Sequence, residues 1–286
     1  PAFYFFTMTL LHCGHFRLPL DRPLLMGIVN LTPDSFSGDG LVDNVEQAIR
    51  HARQQVDAGS DILDIGAESS RPGAIPTSAE DEMRRLLPVL KEVAGWGIPI
   101  SVDTYKPTVM RAALEAGATM INDITGMIHP EALSIVAQSD CAVCVMHMQG
   151  EPGTMQQTPR YQDVVTEVRS FLAGAVERCR QAGIDNRRIV VDPGFGFGKT
   201  LNHNLALFSA LTVAGVGELP TLVGISRKSM LGAITGRPVG QRDAASIAAA
   251  LLAVQKGAKI LRVHDVAATR DALAVWTAIE RGGRDE

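Results

Sequence analysis

The sequence has few cysteines, few aromatic residues and no long uninterrupted apolar run. Its four cysteines, Cys13, Cys141, Cys144 and Cys179, are too scattered for a disulfide scaffold, so we expect buried thiols in a reducing, cytoplasmic compartment. No segment has the length and apolar character of a membrane span, and the apolar start at Pro1 lacks the basic region of a signal peptide. The net charge of -4 over 286 residues argues against general binding to nucleic acid or to an anionic membrane.

Short apolar runs rich in Val and Ile recur along the chain and alternate with helical patterns, which predicts buried parallel strands. The eight predicted strands cover residues 24–30, 62–67, 98–104, 120–125, 141–147, 188–194, 221–226 and 259–265. Amphipathic patterns between them predict helices over residues 45–58, 79–94, 107–116, 161–182 and 244–256. Several of these helices end in Ala-Gly or Lys-Gly, the usual position of a left-handed helix cap.

Eight alternating strand and helix units over roughly 250 residues match the α/β class and the size of a (β/α)₈ TIM barrel. An open doubly wound sheet is the alternative, but the first turn, residues 30–37, is not a dinucleotide-binding fingerprint. We expect a single barrel domain over residues 1–286, with a short N-terminal hairpin before residue 24 under the barrel. Residues 1–9 are expected to be disordered or to lie outside the core.

Polar side chains stand at or just beyond the carboxyl ends of the predicted strands, which line one mouth of a barrel. They are Asn30, Asp64, Glu68, Asp103, Asn122, His147, Asp192, Lys228, Arg262 and His264. Each alone could cap the next helix, but the set at one rim indicates a binding site. Asp103, Asn122 and Asp192 offer acceptors to a flat heterocycle with N–H donors, such as a pterin. Lys228 can donate to such a ring, and Arg262 can stack on its face.

A second group of residues suits an anion and a cation. Arg71, Arg262 and His264 form the candidate anion cluster, and the amide oxygen of Asn30 could ligate a hard cation such as Mg²⁺. Two long loops at the same mouth, residues 32–40 and 68–76, are typical of functional lids.

Two other motifs are weaker indications of chemistry. The run 193–200 ends in Gly-Lys-Thr like a phosphate-binding P-loop, but Pro193 stands where its first glycine belongs and the aromatics crowd the loop. Cys144 and His147 suggest a Cys-His nucleophile, yet their spacing along a strand places them on opposite faces. Neither motif is expected to define the site.

Eight segments in order resemble the motifs of the dihydropteroate synthase family. They are residues 26–37, 64–73, 101–104, 121–124, 145–150, 192–199, 226–229 and 262–265. The resemblance implies a TIM-barrel transferase that uses Mg²⁺, is usually a homodimer, and makes 7,8-dihydropteroate from 7,8-dihydropterin-6-ylmethyl diphosphate and p-aminobenzoate. A pterin-dependent methyltransferase and a catalytically silent pterin-binding paralogue are the alternatives.

The resemblance also implies roles for individual residues. The implied pterin pocket comprises Asp103, Asn122, Met146, Asp192, Phe197, Lys228 and Arg262. The implied diphosphate side comprises Asn30, Arg71, Arg262 and His264, with Asn30 as the metal ligand. The implied p-aminobenzoate side, where sulfonamides compete, comprises Phe36, Ser70, Arg71, Pro72, Lys228 and Ser229. Asp103, Lys228, Arg262 and His264 are the implied catalytic residues. Ala67 and Ser70 replace a common glycine and threonine, which puts sulfonamide sensitivity in doubt.

Overall fold

Eight parallel strands form a nearly closed barrel in the computed structural model, which describes residues 10–31, 45–69 and 76–281. The strands are β3 (Leu24–Asn30), β4 (Ile62–Gly66), β5 (Ile100–Asp103), β6 (Met120–Asp123), β7 (Ala142–Met146), β8 (Ile189–Asp192), β9 (Leu222–Val223) and β10 (Ile260–Val263). They pair in the order β8-β7-β6-β5-β4-β3-β10-β9, and a bridge between Val191 and Thr221 joins the two edges. The predicted TIM barrel is therefore confirmed.

Most predicted strands extend one to three residues beyond the observed ones, because the chain leaves the sheet to form the two rims. The largest difference is at residues 221–226, of which the strand β9 keeps Leu222 and Val223. The residues that follow β9 turn away from the ladder and carry the chain towards Lys228.

The helices that follow the strands cover the outside of the barrel. They are α1 (Val45–Asp57), α2 (Ala79–Val93), α3 (Pro107–Glu115), α4 (Pro130–Ala137), α5 (Val164–Gln181), α6 (Leu201–Ser209), α7 (Leu211–Ala214), α8 (Ser229–Thr235), α9 (Asp243–Gln255) and α10 (Val266–Arg281). The prediction that a helix begins at residue 161 was wrong. The carboxylate of Asp163 accepts hydrogen bonds from the backbone N–H groups of Val165 and Thr166, so it caps α5 and sets its first residue at Val164.

Alternation along each strand separates two apolar layers. Residues such as Leu63, Ile65 and Val102 belong to the large cluster between the sheet and the helices. The smaller cluster fills the amino-terminal part of the barrel interior and contains Leu24, Met26, Ile62, Met120, Ala142, Cys144, Val190, Leu222 and Ile260. Inward positions nearer the carboxyl ends are polar, so the interior has an apolar floor and a polar mouth.

A two-stranded antiparallel hairpin precedes the barrel, as predicted. It consists of β1 (Leu10–Cys13) and β2 (Phe16–Pro19). Leu11, Cys13 and Leu20 are buried in the inner cluster, so the hairpin closes the amino-terminal end of the barrel. The expectation for residues 1–9 falls outside the described residues.

Two sequence predictions about composition can be compared with the structure. The four cysteines are free and buried, as predicted for reduced thiols. Across the described ranges of the chain, no helix combines the length and the hydropathy that crossing a bilayer requires.

Candidate active site

Arg262 lies at the centre of the polar mouth, on the inward face of β10. Its Nε donates to Asp64 Oδ2 on β4 at 2.6 Å, and its Nη2 donates to Asp103 Oδ2 at the end of β5 at 2.8 Å. The Oγ of Ser101 donates to the second oxygen of Asp64 at 2.6 Å. One guanidinium therefore joins carboxylates from two adjacent strands across the barrel, which is a charge-assisted arrangement.

Asp103 sits where burial and a second carboxylate oppose its ionisation. Burial raises its pKa to about 7, Arg262 lowers the pKa, and the negative charge of Asp64 raises it again. The side chain keeps 20% of its exposure, so it faces the mouth, whereas Asp64 is fully buried. Of the two carboxylates that pair with Arg262, Asp103 is thus the one that a ligand can reach.

Asp192 and Lys228 form the other side of the mouth. Asp192 ends β8, is buried, and accepts a hydrogen bond from the N–H of Gly194 at 2.7 Å. Lys228 donates to the backbone oxygen of Phe195, and its Nζ lies 4.5 Å from the centre of the Phe197 ring. Burial lowers the pKa of Lys228 to about 8, although the charge of Asp192 opposes this shift.

Asn122 contributes an acceptor that the described residues leave unpaired. Its side chain is 4% exposed, on the inward face of β6, in register with Asp103 on β5. Among residues 10–31, 45–69 and 76–281 no group donates a hydrogen bond to its Oδ1. Buried acceptors rarely stay unpaired in folded proteins, so this oxygen is available to a ligand.

The remaining predicted residues are placed as follows. Asn30 ends β3 and is partly buried, Met146 ends β7 opposite Asp192, and Ser229 is the exposed first residue of α8. His264 follows β10, and its Nδ1 lies 3.0 Å from the hydroxyl of Ser226. The structure therefore brings Asn30, Asp103, Asn122, Met146, Asp192, Phe197, Lys228, Ser229, Arg262 and His264 to the carboxyl end of the barrel. Phe36, Ser70, Arg71 and Pro72 lie outside the described residues.

Lys199, the lysine of the P-loop-like run, does not face a phosphate site. It is 3% exposed and donates to the backbone oxygens of Gly194 at 2.8 Å and Phe197 at 3.0 Å. The Nδ1 of His147, whose pKa burial lowers to about 3, accepts a third hydrogen bond at 2.9 Å. Lys199 therefore holds together the loop that follows β8.

A second charged cluster lies beside the site, between β4, β5 and α2. Glu68 accepts hydrogen bonds from the hydroxyl of Tyr105 at 3.1 Å and from the N–H of Thr77 at 3.2 Å. Lys106 pairs with Glu68 and, at 2.6 Å, with Glu82, which is fully buried. Burial raises the pKa of Glu82, while the hydrogen bond from Lys106 lowers it.

The sequence places Asp64 and Glu68 in the polar rim without an individual role, and it assigns no role to Ser101, Glu82 or Lys106. Asp64 could have been singled out by its inward alternation with Ile62, because a carboxylate there needs a buried partner. The identity of that partner depends on barrel closure, which brings β10 next to β3.

Comparisons with known proteins agree with this geometry. The family model described as pterin binding enzyme matches residues 26–264. The chain belongs to the dihydropteroate synthase family of pterin-binding enzymes. It is 51% identical over 272 residues to dihydropteroate synthase from Neisseria meningitidis serogroup C, covering 93% of this chain and 96% of that protein. Members of this family are transferases.

Solved structures of the family superpose over nearly the whole chain. The dihydropteroate synthase of Burkholderia cenocepacia, complexed with 7,8-dihydropteroate, has a TM-score of 0.89 and 48% identity, covering 97% of this chain and 99% of that one. The Yersinia pestis enzyme, in complex with a sulfonamide drug, has a TM-score of 0.90 and 43% identity, covering 96% of this chain and 100% of that one.

Proposed function

We propose that this enzyme joins 7,8-dihydropterin-6-ylmethyl diphosphate to p-aminobenzoate, releasing pyrophosphate and forming 7,8-dihydropteroate for folate biosynthesis. The observation that carries the proposal is the buried Oδ1 of Asn122, which has no donor among the described residues and lies at the same end of the barrel as the carboxylates of Asp103 and Asp192. A pterin edge presents N–H and NH₂ donors, which these acceptors would pair.

The other residues of the mouth complete a pocket for the ring. Lys228, with a pKa of about 8, is mostly protonated at pH 7 and would donate to the ring carbonyl or to a ring nitrogen. The guanidinium of Arg262 would stack on one face of the ring. Met146 and Phe197 supply apolar surface at the ends of β7 and of the β8 loop.

The charges suit departure of the diphosphate. Arg262 and His264, with Arg71 from the second loop, would stabilise the leaving anion and so lower the barrier to C–O cleavage. The methylene left behind is a cation conjugated with the pterin ring, and the carboxylates of Asp103 and Asp192 would favour it. The aniline nitrogen of p-aminobenzoate is mostly unprotonated at neutral pH and attacks this carbon without a strong general base; the acidic ammonium that forms then loses its proton to water or to the released pyrophosphate.

The residues present fit the Mg²⁺ that the family implies. Asn30 offers a hard amide oxygen at the end of β3, and the described residues contain no group of three or more His, Cys, Asp or Glu that could hold a metal. Mg²⁺ commonly takes one or two protein oxygens and completes its shell with water and substrate phosphates. Bound through Asn30, it would neutralise charge on the diphosphate.

The p-aminobenzoate side rests on the family resemblance. Its proposed residues are Phe36, Ser70, Arg71, Pro72, Lys228 and Ser229. We expect sulfonamides to compete there; the Yersinia pestis enzyme has been solved in complex with a sulfonamide drug. Loss of one methyl group at Ser70, relative to threonine, would cost at most about 1 kcal/mol of contact.

Assembly and location are further parts of the proposal. We expect a homodimer, supported by exposed apolar side chains on α9 and α10, namely Leu252, Val275 and Ile279. We expect a cytoplasmic enzyme, supported by the four free, buried cysteines. Sedimentation and cell fractionation test these two expectations.

The test is a coupled assay for pyrophosphate with both substrates, with and without Mg²⁺. Pyrophosphate should appear only when p-aminobenzoate is present, and this dependence separates a synthase from a pterin-dependent methyltransferase. A silent paralogue would bind the pterin without releasing pyrophosphate. Absence of turnover under all conditions would refute the proposal.

Asp103→Asn tests the role of charge in the pocket. Removing one preorganised charge from a site of this kind costs about 10²–10³ in turnover, so we expect a loss of that order in a folded protein. Because the pKa of Asp103 is about 7, wild-type kcat/KM should rise with pH through that value. The variant should lack this rise. Near-normal turnover, or an unchanged pH profile, would contradict the role.

A further inference from the structure

Asp64 is an interior charge for which the proposed chemistry has no direct use. It is fully buried on the inward face of β4, one step towards the mouth from Ile62 of the apolar floor. An isolated carboxylate at such a depth is unfavourable, so its partners decide its role. Those partners are the hydroxyl of Ser101 at 2.6 Å and the Nε of Arg262, also at 2.6 Å.

The two carboxylates hold different parts of Arg262. Asp64 accepts from Nε, on the side-chain stem, whereas Asp103 accepts from Nη2 at the outer end of the guanidinium. The N–H at Nε lies in the plane of the guanidinium, so a fixed acceptor there restricts how that plane can rotate. Asp64 is fixed in turn, because its second oxygen is bonded to Ser101.

Asp64 and Asp103 differ in side-chain exposure, so that Asp64 is a permanent partner of Arg262 and Asp103 is an exchangeable one. Asp64 has no exposed side-chain surface, whereas Asp103 keeps 20% of its exposure and faces the mouth. If Asp103 turns to a ligand donor, Arg262 would lose one anionic partner but keep Asp64. The charge of Arg262 then stays balanced, and the charge of Asp103 becomes available to the ligand.

We propose that Asp64 is a positioning residue that fixes the guanidinium plane of Arg262 and frees Asp103 to bind the pterin. This inference deepens the proposed function and rests on it. Asp64 touches neither substrate and acts through Arg262 and Asp103. Without Asp64, Arg262 would pair more tightly with Asp103, and the plane of its guanidinium would no longer have a fixed orientation.

The proposal predicts a change in pH dependence that a role in folding alone would not produce. The charge of Asp64, and less strongly the charges of Glu82 and Asp123, raise the pKa of Asp103, and the charge of Arg262 lowers it. In Asp64→Asn the effect of Asp64 disappears and the others remain. The midpoint for ligand binding that reports Asp103 should therefore fall by about one pH unit, a typical effect of removing one nearby charge.

The experiment measures binding of 7,8-dihydropteroate by calorimetry between about pH 5.5 and 8.5, together with pyrophosphate release, for the wild type and Asp64→Asn. We expect the variant to bind at least about tenfold more weakly at pH 7.5, since one buried charged hydrogen bond is lost. We also expect its pH midpoint to be lower. Asp123→Asn is the matched control, because Asp123 is a fully buried carboxylate on β6 bonded to Thr125 and Met127 instead of Arg262. It should change the melting temperature and shift the midpoint less than Asp64→Asn does, because the charge of Asp123 has a smaller effect than that of Asp64 on the pKa of Asp103.

Ser101→Ala keeps the proposal testable if Asp64→Asn does not fold. It removes the hydroxyl that fixes Asp64 and should weaken binding in the same direction, by about threefold, because Asp64 keeps its charge and its hydrogen bond to Arg262. Wild-type affinity and midpoint in the folded variants would overturn the positioning role. A wild type without pyrophosphate release would instead refute the proposed function, so the two failures are distinguishable.

Discussion

The buried ion pair between Lys106 and Glu82 gives a stability prediction that the structure makes quantitative. Glu82 on α2 is fully buried, and Lys106, with 17% of its side chain exposed, donates to it at 2.6 Å. Lys106→Met would leave that carboxylate without its cationic partner. Breaking a buried pair in this way costs about 3–5 kcal/mol, because the remaining charge is uncompensated.

The expected loss is large enough for thermal unfolding to resolve. For a chain of this length, 1 kcal/mol corresponds to roughly 2 °C in melting temperature, so Lys106→Met should melt about 6–10 °C below the wild type. The double variant Glu82→Gln/Lys106→Met removes the orphaned charge of Glu82 and should recover the part of the loss that Glu82 causes, while Glu68, the other partner of Lys106, keeps its hydrogen bonds from Tyr105 and Thr77. Scanning calorimetry of the three proteins measures these differences.

The same helix offers a matched control. Arg84 pairs with Asp81 at 2.7 Å, but their side chains are 64% and 44% exposed. Arg84→Met should therefore cost less than about 1 kcal/mol, as exposed pairs usually do. If Lys106→Met melted within 2 °C of Arg84→Met, a margin of roughly 1 kcal/mol, burial would not be the source of the effect.

The pH dependence of the Lys106→Met defect gives a second check. The pKa of Glu82 is raised above its ordinary value of 4.5, chiefly by burial, so the folded state takes up a proton there before the unfolded state does. The contribution of Glu82 to the free energy of unfolding therefore increases as pH falls through the folded pKa towards 4.5. Removing Lys106 should raise that pKa further, so the defect should shrink at acid pH. A defect independent of pH would contradict this assignment.

Two further predictions concern the loop after β8. Burial lowers the pKa of Lys199 to about 7, so the folded state loses a proton that the unfolded state keeps. The wild type should therefore gain stability over Lys199→Met as pH rises, by roughly 1 kcal/mol per pH unit above about pH 7.5; parallel melting curves against pH would contradict this. Gly194 has φ of +69°, and a Cβ there would lie 1.9 Å from the backbone oxygen of His147. Gly194→Ala should raise KM for the pterin substrate by roughly tenfold, because displacement of the loop beside Asp192 would cost about 1.4 kcal/mol of binding free energy. Gly183→Ala, at φ of +88° but with open space around its Cβ, should cost only about 1–2 kcal/mol of stability; equal kinetic defects in both variants would refute the steric argument.

Most of what could be predicted from the sequence rested on the alternation of inward and outward residues along the strands. Asp103, Asn122 and Asp192 end apolar runs in inward positions, and parallel pairing brings such positions to one rim regardless of their separation in the chain. The short hairpin before β3 was also predictable, because the barrel needs apolar side chains to close its amino-terminal end.

Contacts that depend on side-chain direction could not be predicted in the same way. Asp64 and Arg262 are 198 residues apart, and their hydrogen bond exists because closure of the barrel brings their strands together across β3. Lys199 has a P-loop-like spacing, but its backbone partners follow from the left-handed glycines of its loop. The roles of Phe36, Ser70, Arg71 and Pro72 stay predictions.

The hairpin under the barrel has a consequence for the order in which substrates enter and leave the site. Leu11 and Cys13 belong with Leu24 and Ile62 to one buried apolar cluster, each with no more than 1% of its surface exposed, so packed side chains fill that end of the barrel. Because the interior of the barrel opens at one end, the ligand that binds deepest must enter first and leave last. We therefore expect the pterin moiety to precede p-aminobenzoate, and an analogue of the second substrate to trap the first one inside.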